Sequence, residues 1–192
     1  MVAPKTNAYS LIEAKPFSPN LGAEVYGVDL SETISDAQFA EILDAFLKYQ
    51  VLFFKNQKEI LPEQHVIFGK RFGPLHAHPA APTMEGHPEI FEIHATKDSK
   101  VANGEFWHSD VSCDDTPPLG TMLQIHIAPP YGGDTMFSNM EAAYDDLSDP
   151  MKKMLGGLTA LHSSEHIYKG RYSDRGKRDV DIDCPEAVHP IV

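Results

Sequence analysis

Proline and glycine residues limit the length of almost every secondary-structure element that follows Leu75. Short apolar stretches alternate there with turn-forming runs rich in Pro and Gly, such as residues 129–133. Elements bounded in this way are typically strands of about 4–8 residues. We therefore predict strands at residues 90–95, 120–127, 135–138 and 158–162.

The first third of the chain carries helical patterns instead. Ser35 and Gln38 have the spacing of a capping box, and the apolar residues from Phe39 to Leu47 recur on one helical face. The sequence further predicts short strands within 14–30 and at 51–54, helices at 62–72, 140–147 and 150–155, the last with Asp149 as N-cap, and a polar loop at 163–185. Central strands with helices at the start predict a mainly β sandwich or barrel with flanking helices.

Composition excludes several classes of function. The formal net charge of −12 argues against nucleic acid as a partner, because phosphate binding needs a basic face. No apolar run approaches the roughly 18 residues of a membrane span. Two cysteines without ligand spacing, and no secretory signal, predict a cytoplasmic location.

His108 and Asp110 are the residues most suggestive of chemistry. Residues two apart in an extended backbone point to the same side, so an imidazole nitrogen and a carboxylate oxygen can face one ion. One such pair and a distant second His make the facial triad of non-haem Fe(II) oxygenases. The triplet alone is weak, because a His beside a Trp is more often a core or loop residue than a ligand.

The residues around this pair form a longer pattern. Residues 107–124 read WHSDVSCDDTPPLGTMLQ, and residues 129–139 read PPYGGDTMFSN. In order and spacing this pattern resembles the taurine dioxygenase (TauD/TfdA) family of Fe(II)/2-oxoglutarate-dependent dioxygenases. The resemblance extends back to Gly22 and forward to His162, so it covers nearly the whole chain.

The resemblance implies a fold and a set of site residues. The fold would be a double-stranded β-helix (jelly roll), with residues 1–192 in a single dioxygenase domain. His108 and Asp110 match the first two iron ligands, and Thr135 matches the threonine that binds a carboxylate of 2-oxoglutarate. His78 matches the histidine that contacts the anionic group of the substrate, and Asn103 lies near an asparagine of the substrate pocket. Without the resemblance, Thr135 is a strand residue and His78 a surface-loop residue.

The implied cofactors are Fe(II) and the co-substrate 2-oxoglutarate. The implied reaction couples decarboxylation of 2-oxoglutarate, which gives succinate and CO2, to hydroxylation of a small anionic organic substrate by O2. No membrane partner is expected, and a homo-oligomer is expected only by analogy with the family. Ala81 stands where taurine-specific members have a Tyr, so the pattern favours another sulfonate, an alkyl sulfate or a carboxylate over taurine.

A second departure concerns the C-terminal end of the chain. Residues 189–192 resemble the segment that precedes the family's C-terminal third, so the resemblance implies a domain that lacks that third. The missing part supplies the distal iron His and the Arg that pairs with 2-oxoglutarate. Four other histidines could in principle supply a third ligand: His126, His162, His166 and His189. Two other functions stay open, a catalytically silent relative that acts as a binding protein and a cupin-like metal-binding barrel.

Overall fold

The computed structural model of the chain describes residues 9–79, 81, 83–99, 104, 106–170 and 182–192. These residues form short strands and helices. The strands are β1 Glu13–Pro16, β2 Ala23–Tyr26, β3 Leu52–Phe54, β4 Thr83–Met84, β5 His87–Phe91, β6 Thr159–Ser163 and β7 Glu186–Pro190. The helices are α1 Asp36–Tyr49, α2 Pro62–Lys70, α3 Met140–Asp145, α4 Asp149–Leu155 and α5 Glu165–Tyr168. None of these helices is long and apolar enough to cross a membrane.

The chain divides into two compact units. The first unit comprises residues 1–64 and 124–147, and the second comprises residues 65–123 and 148–192.

A three-stranded sheet and helix α1 organise the first unit. The strand order is β1–β2–β3, with β1 antiparallel and β3 parallel to β2. A parallel pair needs a crossover connection, and α1 supplies it between β2 and β3. The Ser35 hydroxyl caps this helix by accepting the N–H of Gln38 at 3.2 Å. The predicted N-cap, helix α1 and strand β3 are therefore confirmed.

The core of the first unit comes from α1 and β2. Ile42 and Ala45 of the helix are fully buried, as are Ala23 and Val25 of the strand. Ala23 and Val25 are two apart, so they share one face of the sheet, and Phe39 and Ile42 share one face of the helix. The apolar periodicity in the sequence thus corresponds to the buried face at Phe39 and Ile42, whereas Leu47 at the end of the pattern is exposed.

Glu41 ties the N-terminal segment to helix α1. Its carboxylate accepts the backbone N–H groups of Ser10 and Leu11 at 2.8 Å and that of Ile12 at 3.1 Å. These hydrogen bonds, that from Ser10 first among them, lower the pKa of the Glu41 carboxyl group, because they favour its charged form. One carboxylate therefore satisfies three backbone donors that precede β1.

Two small antiparallel sheets and a buried cluster organise the second unit. Strand β4 pairs with β5, and β6 pairs with β7 in a register that places Leu161 opposite Val188. Ala81, Cys113, Tyr168 and Ile182 form the buried cluster. Phe91, Val111 and Cys184 pack against it, and both cysteines are free thiols.

Several predicted boundaries are wrong. Residues 120–127 and 135–138 are not strands, because no described residues pair with them and a strand depends on hydrogen bonds to a neighbour. The predicted strand at 90–95 is instead His87–Phe91, and Ser148 rather than Asp149 is the N-cap of α4. The predicted loop at 163–185 contains α5. The mainly β prediction is met only in part, since the helices contain more of the described residues than the three small separate sheets do.

We expect Ile42→Ala to lower the free energy of unfolding by about 2–5 kcal/mol, because it leaves a cavity in a fully buried position. Leu47→Ala on the same helix is the control. Leu47 is 62% exposed, so its truncation changes the free energy by about 0.5 kcal/mol or less. Urea titrations followed by circular dichroism measure both values. Equal losses in the two variants would contradict the placement of the core.

We expect Glu41→Gln to accelerate amide hydrogen exchange at Leu11 and Ile12, because a neutral amide oxygen is a weaker acceptor for their N–H groups. Protection in the wild type should also fall as the pH drops through the lowered pKa of Glu41. Glu32→Gln, an exposed acid on a neighbouring loop, serves as the control and should leave both amides protected. Unchanged exchange in Glu41→Gln would contradict the hydrogen bonds between the Glu41 carboxylate and these two amides.

Candidate functional site

His108 and Asp110 lie in the second unit with their side chains facing each other. The Nε2 atom of His108 is 3.2 Å from the Oδ1 atom of Asp110. Both side chains are about half exposed, at 52% and 49%, so the pair is open to solvent rather than part of the core. The spacing of the two residues in the sequence therefore does bring their polar atoms together.

Each of these side chains is held by its outer atom. The Nδ1 atom of His108 is 2.6 Å from the carbonyl oxygen of Phe106, so Nδ1 carries the proton and donates it. The hydroxyl group of Thr121 donates to Oδ2 of Asp110 at 2.6 Å. A carbon atom added to Gly104 would lie 3.6 Å from Cε1 of His108, so the chain passes closely behind the ring. These contacts leave Nε2 and Oδ1 as the inner pair of atoms.

The inner pair has the chemistry of two metal ligands. A neutral imidazole that donates from Nδ1 has a lone pair on Nε2, and that lone pair faces a carboxylate oxygen. Two such electron-rich atoms repel unless a cation, either a proton or a metal ion, lies between them. Metal bonds of about 2.1 Å at right angles separate adjacent ligand atoms by about 3 Å, close to the observed distance. An imidazole and a carboxylate also suit Fe(II).

Of the four histidines predicted as possible third ligands, His166 is exposed in α5 and the other three have partners of their own. His126 pairs with Glu59, His162 contacts the hydroxyl group of Ser112, and His189 contacts the carbonyl oxygen of Asp114. Among the residues that the structure describes, no group of three or more His, Cys, Asp or Glu side chains is arranged to hold a metal ion.

His78 lies in the same unit, between two aromatic rings. Its ring centroid is 4.8 Å from that of Tyr168 and 5.4 Å from that of Phe91. The backbone N–H of Ala81 donates to its Nδ1 atom at 2.9 Å. A nitrogen that accepts a hydrogen bond carries no proton, so the neutral ring has its proton on Nε2. His78 is thus fixed as a hydrogen-bond donor through Nε2.

Burial lowers the pKa of His78, and the neighbouring His76 lowers it further. The negative charges of Asp110 and Asp114 raise the pKa of His78, but their effect is smaller than that of burial. The folded protein therefore favours neutral His78. This contribution to stability is lost as the pH falls from the pKa of His78 in the unfolded chain to its lower pKa in the folded protein. At neutral pH the ring is an uncharged donor.

Thr135 belongs to the first unit. Phe17, Leu21, Phe53 and Phe137 are among the residues that line a cavity of about 200 Å³ with it. Asn103 lies outside the described residues. Of the five predicted site residues, the second unit contains His78, His108 and Asp110.

Three supporting groups escaped the sequence analysis. Thr121 lies eleven residues after the carboxylate it contacts, and no local pattern marks it. Tyr168 reaches His78 from ninety residues away. The sequence pattern marks Ala81 only as a position where taurine-specific members have a Tyr. In the structure its side chain is buried, and its backbone N–H donates to Nδ1 of His78, which leaves the proton of the neutral ring on Nε2. Contacts over such separations cannot be read from spacing.

Comparison with known proteins identifies the family of the chain. The family model described as "Taurine catabolism dioxygenase TauD, TfdA family" matches residues 13–192. An alkylsulfatase of Acinetobacter baylyi is 34% identical over 193 residues, which cover 97% of this chain and 60% of that protein. An alpha-ketoglutarate-dependent sulfate ester dioxygenase of Pseudomonas putida is 29% identical over 188 residues, covering 94% of this chain and 62% of that protein.

A solved structure is similar as well. The crystal structure of a taurine dioxygenase from Burkholderia xenovorans matches with a TM-score of 0.65 and 36% identity, covering 80% of this chain and 54% of that chain. The chain therefore spans between about half and three fifths of the length of these three proteins. The family match over nearly the whole chain and the shared fold lead to one conclusion: the chain belongs to the TauD/TfdA family of taurine catabolism dioxygenases.

Proposed function

We propose that the protein is an Fe(II)/2-oxoglutarate-dependent dioxygenase that hydroxylates a small anionic organic substrate and releases succinate and CO2. The observation that carries this proposal is the inner pair of atoms, Nε2 of His108 and Oδ1 of Asp110, 3.2 Å apart in a chain of this family. Relatives whose names state dependence on alpha-ketoglutarate support the cofactor assignment.

In this proposal His108 and Asp110 hold the metal ion. When bound, the iron and 2-oxoglutarate supply the oxidising chemistry, and the protein supplies placement. The Phe106 carbonyl group keeps the proton of His108 on Nδ1, which leaves Nε2 free to bind the ion. Thr121 prevents rotation of the Asp110 carboxylate by its bond to Oδ2. Thr135 is proposed to bind a carboxylate of 2-oxoglutarate.

The substrate end of the site is assigned to His78. Its Nε2–H group is proposed to donate to the anionic group of the substrate, with Asn103 as a further pocket residue. Position 81 itself supplies no phenol to the site, because it is an alanine whose methyl group is buried. We therefore favour an alkyl sulfate, another sulfonate or a carboxylate over taurine. The names of the two sulfate-ester relatives support this class.

We expect His108→Ala in the full-length protein to reduce Fe(II)-dependent succinate formation by more than about 100-fold, because it removes a metal ligand. The side chain is half exposed, so the fold should survive the change. His126→Ala is the matched control, since His126 is exposed and contacts only the exposed Glu59 among described side chains. Succinate formed from 2-oxoglutarate is measured with and without added Fe(II). Full activity in His108→Ala would exclude this ligand.

We expect His78→Asn to raise the KM for an alkyl sulfate by about 10-fold or more, because a hydrogen bond to a charged group is lost. An Asn oxygen can still accept the N–H of Ala81, so the local fold is retained. The KM for 2-oxoglutarate should stay unchanged. His94→Asn, on an exposed stretch after β5, is the control. An unchanged KM for several sulfates and sulfonates would remove His78 from the substrate site.

A further inference from the structure

The backbone directly after Asp110 adopts an unusual conformation. Val111 has a φ of 54°, in the left-handed region that β-branched residues rarely occupy. The N–H of Asp114 donates to the carbonyl oxygen of Val111 at 3.1 Å and closes a tight turn over residues 111–114. A conformation of this kind persists only when surrounding contacts hold it in place.

Two histidines of the β6–β7 sheet supply such contacts. In the β6–β7 register Ala160 lies opposite His189, and His162 lies opposite Ala187, so both imidazoles lie on one face of the sheet. Nδ1 of His162 is 3.0 Å from the hydroxyl oxygen of Ser112. Nε2 of His189 donates to the carbonyl oxygen of Asp114 at 2.9 Å. One face of this sheet therefore contacts both halves of the turn.

Other contacts fix the same turn from different directions. Nε2 of His76 is 3.2 Å from Oδ2 of Asp114. Cys113 is buried, and its sulfur lies 3.8 Å from the hydroxyl oxygen of Tyr168. The turn is thus anchored by side chains of β6, β7, α5 and the segment before β4, while Asp110 immediately precedes it.

We propose that His162 and His189 are positioning residues, which hold the turn over residues 111–114 and so orient the Asp110 carboxylate toward His108. Neither histidine contacts the inner pair of atoms, so each acts through the backbone of the turn. The consequence for metal binding rests on the function proposed above, whereas the effect on the turn does not.

The first experiment measures Co(II) binding to the full-length protein by visible absorption. His162→Ala and His189→Ala should each weaken binding by about 10- to 100-fold, as expected for residues that orient a ligand. His162→Asn, which keeps a polar atom near the Nδ1 position, and His189→Gln, which keeps one near Nε2, should restore most of the affinity. Leu161→Ala and Val188→Ala, exposed positions on the opposite face of the same strands, should bind as the wild type does.

Two further measurements separate positioning from general stability. Circular dichroism should show that the alanine variants remain folded, and Ser112→Ala, which removes only a half-buried hydroxyl group, provides a variant with little risk to the fold. Ser112→Ala should also weaken Co(II) binding, by an amount similar to His162→Ala. Wild-type affinity in folded His162→Ala, His189→Ala and Ser112→Ala proteins would overturn the proposal.

Amide hydrogen exchange at Asp114, whose N–H closes the turn, distinguishes this proposal from the proposed function. Exchange at this amide should accelerate in His162→Ala and His189→Ala without any metal present, and it should match the wild type in Leu161→Ala. If the wild type binds no Co(II), the proposed function fails, but accelerated exchange still supports the anchoring of the turn. Unchanged exchange in the two histidine variants overturns the proposal whatever the metal result.

Discussion

The function proposed for the second unit depends on the geometry of one pair of side chains, His108 and Asp110. Their inner atoms are 3.2 Å apart, and both carry lone pairs when the imidazole proton is on Nδ1. Their mutual repulsion disappears when a cation lies between them. The protein fixes each side chain by its outer atom, through the Phe106 carbonyl group and the Thr121 hydroxyl group, and leaves the inner atoms in solvent. In proteins generally, such outer hydrogen bonds orient metal ligands, which supports the role proposed for this pair.

The position of the carboxylate depends on a strained backbone. A left-handed conformation at a β-branched residue costs about 1–3 kcal/mol, so the turn after Asp110 needs compensation. Hydrogen bonds from the β6–β7 sheet and the burial of Cys113 provide it. The buried cluster that contains Tyr168 supports two parts of the unit. It includes Cys113 of the turn, and the ring of Tyr168 also packs against His78. Packing in the second unit is thus connected to both the proposed metal ligands and the proposed substrate contact.

An acidic protein can still receive an anion through a local donor. The net charge of −12 disfavours anions at long range, yet charge acts at a site mainly through its nearest groups. His78 is held neutral by burial and donates through Nε2, so it can bind an anionic group without a formal positive charge. The aromatic rings of Tyr168 and Phe91 pack against it, which suits the organic part of the proposed anionic substrate.

The sequence by itself determined the features that depend on neighbouring residues. The Ser35 cap and the apolar periodicity specified helix α1, and the spacing of His108 and Asp110 specified which polar atoms would meet, as the family pattern also indicated. Tertiary structure decided the features that need a partner far away in the sequence, namely strand pairing and side-chain contacts between remote segments. Residues 120–127 have the composition of a strand but find no partner among the described residues, and Thr121, Ala81 and Tyr168 gain their roles only from contacts across the fold. Hydrogen bonds between remote segments follow from packing, and spacing along the chain does not encode them.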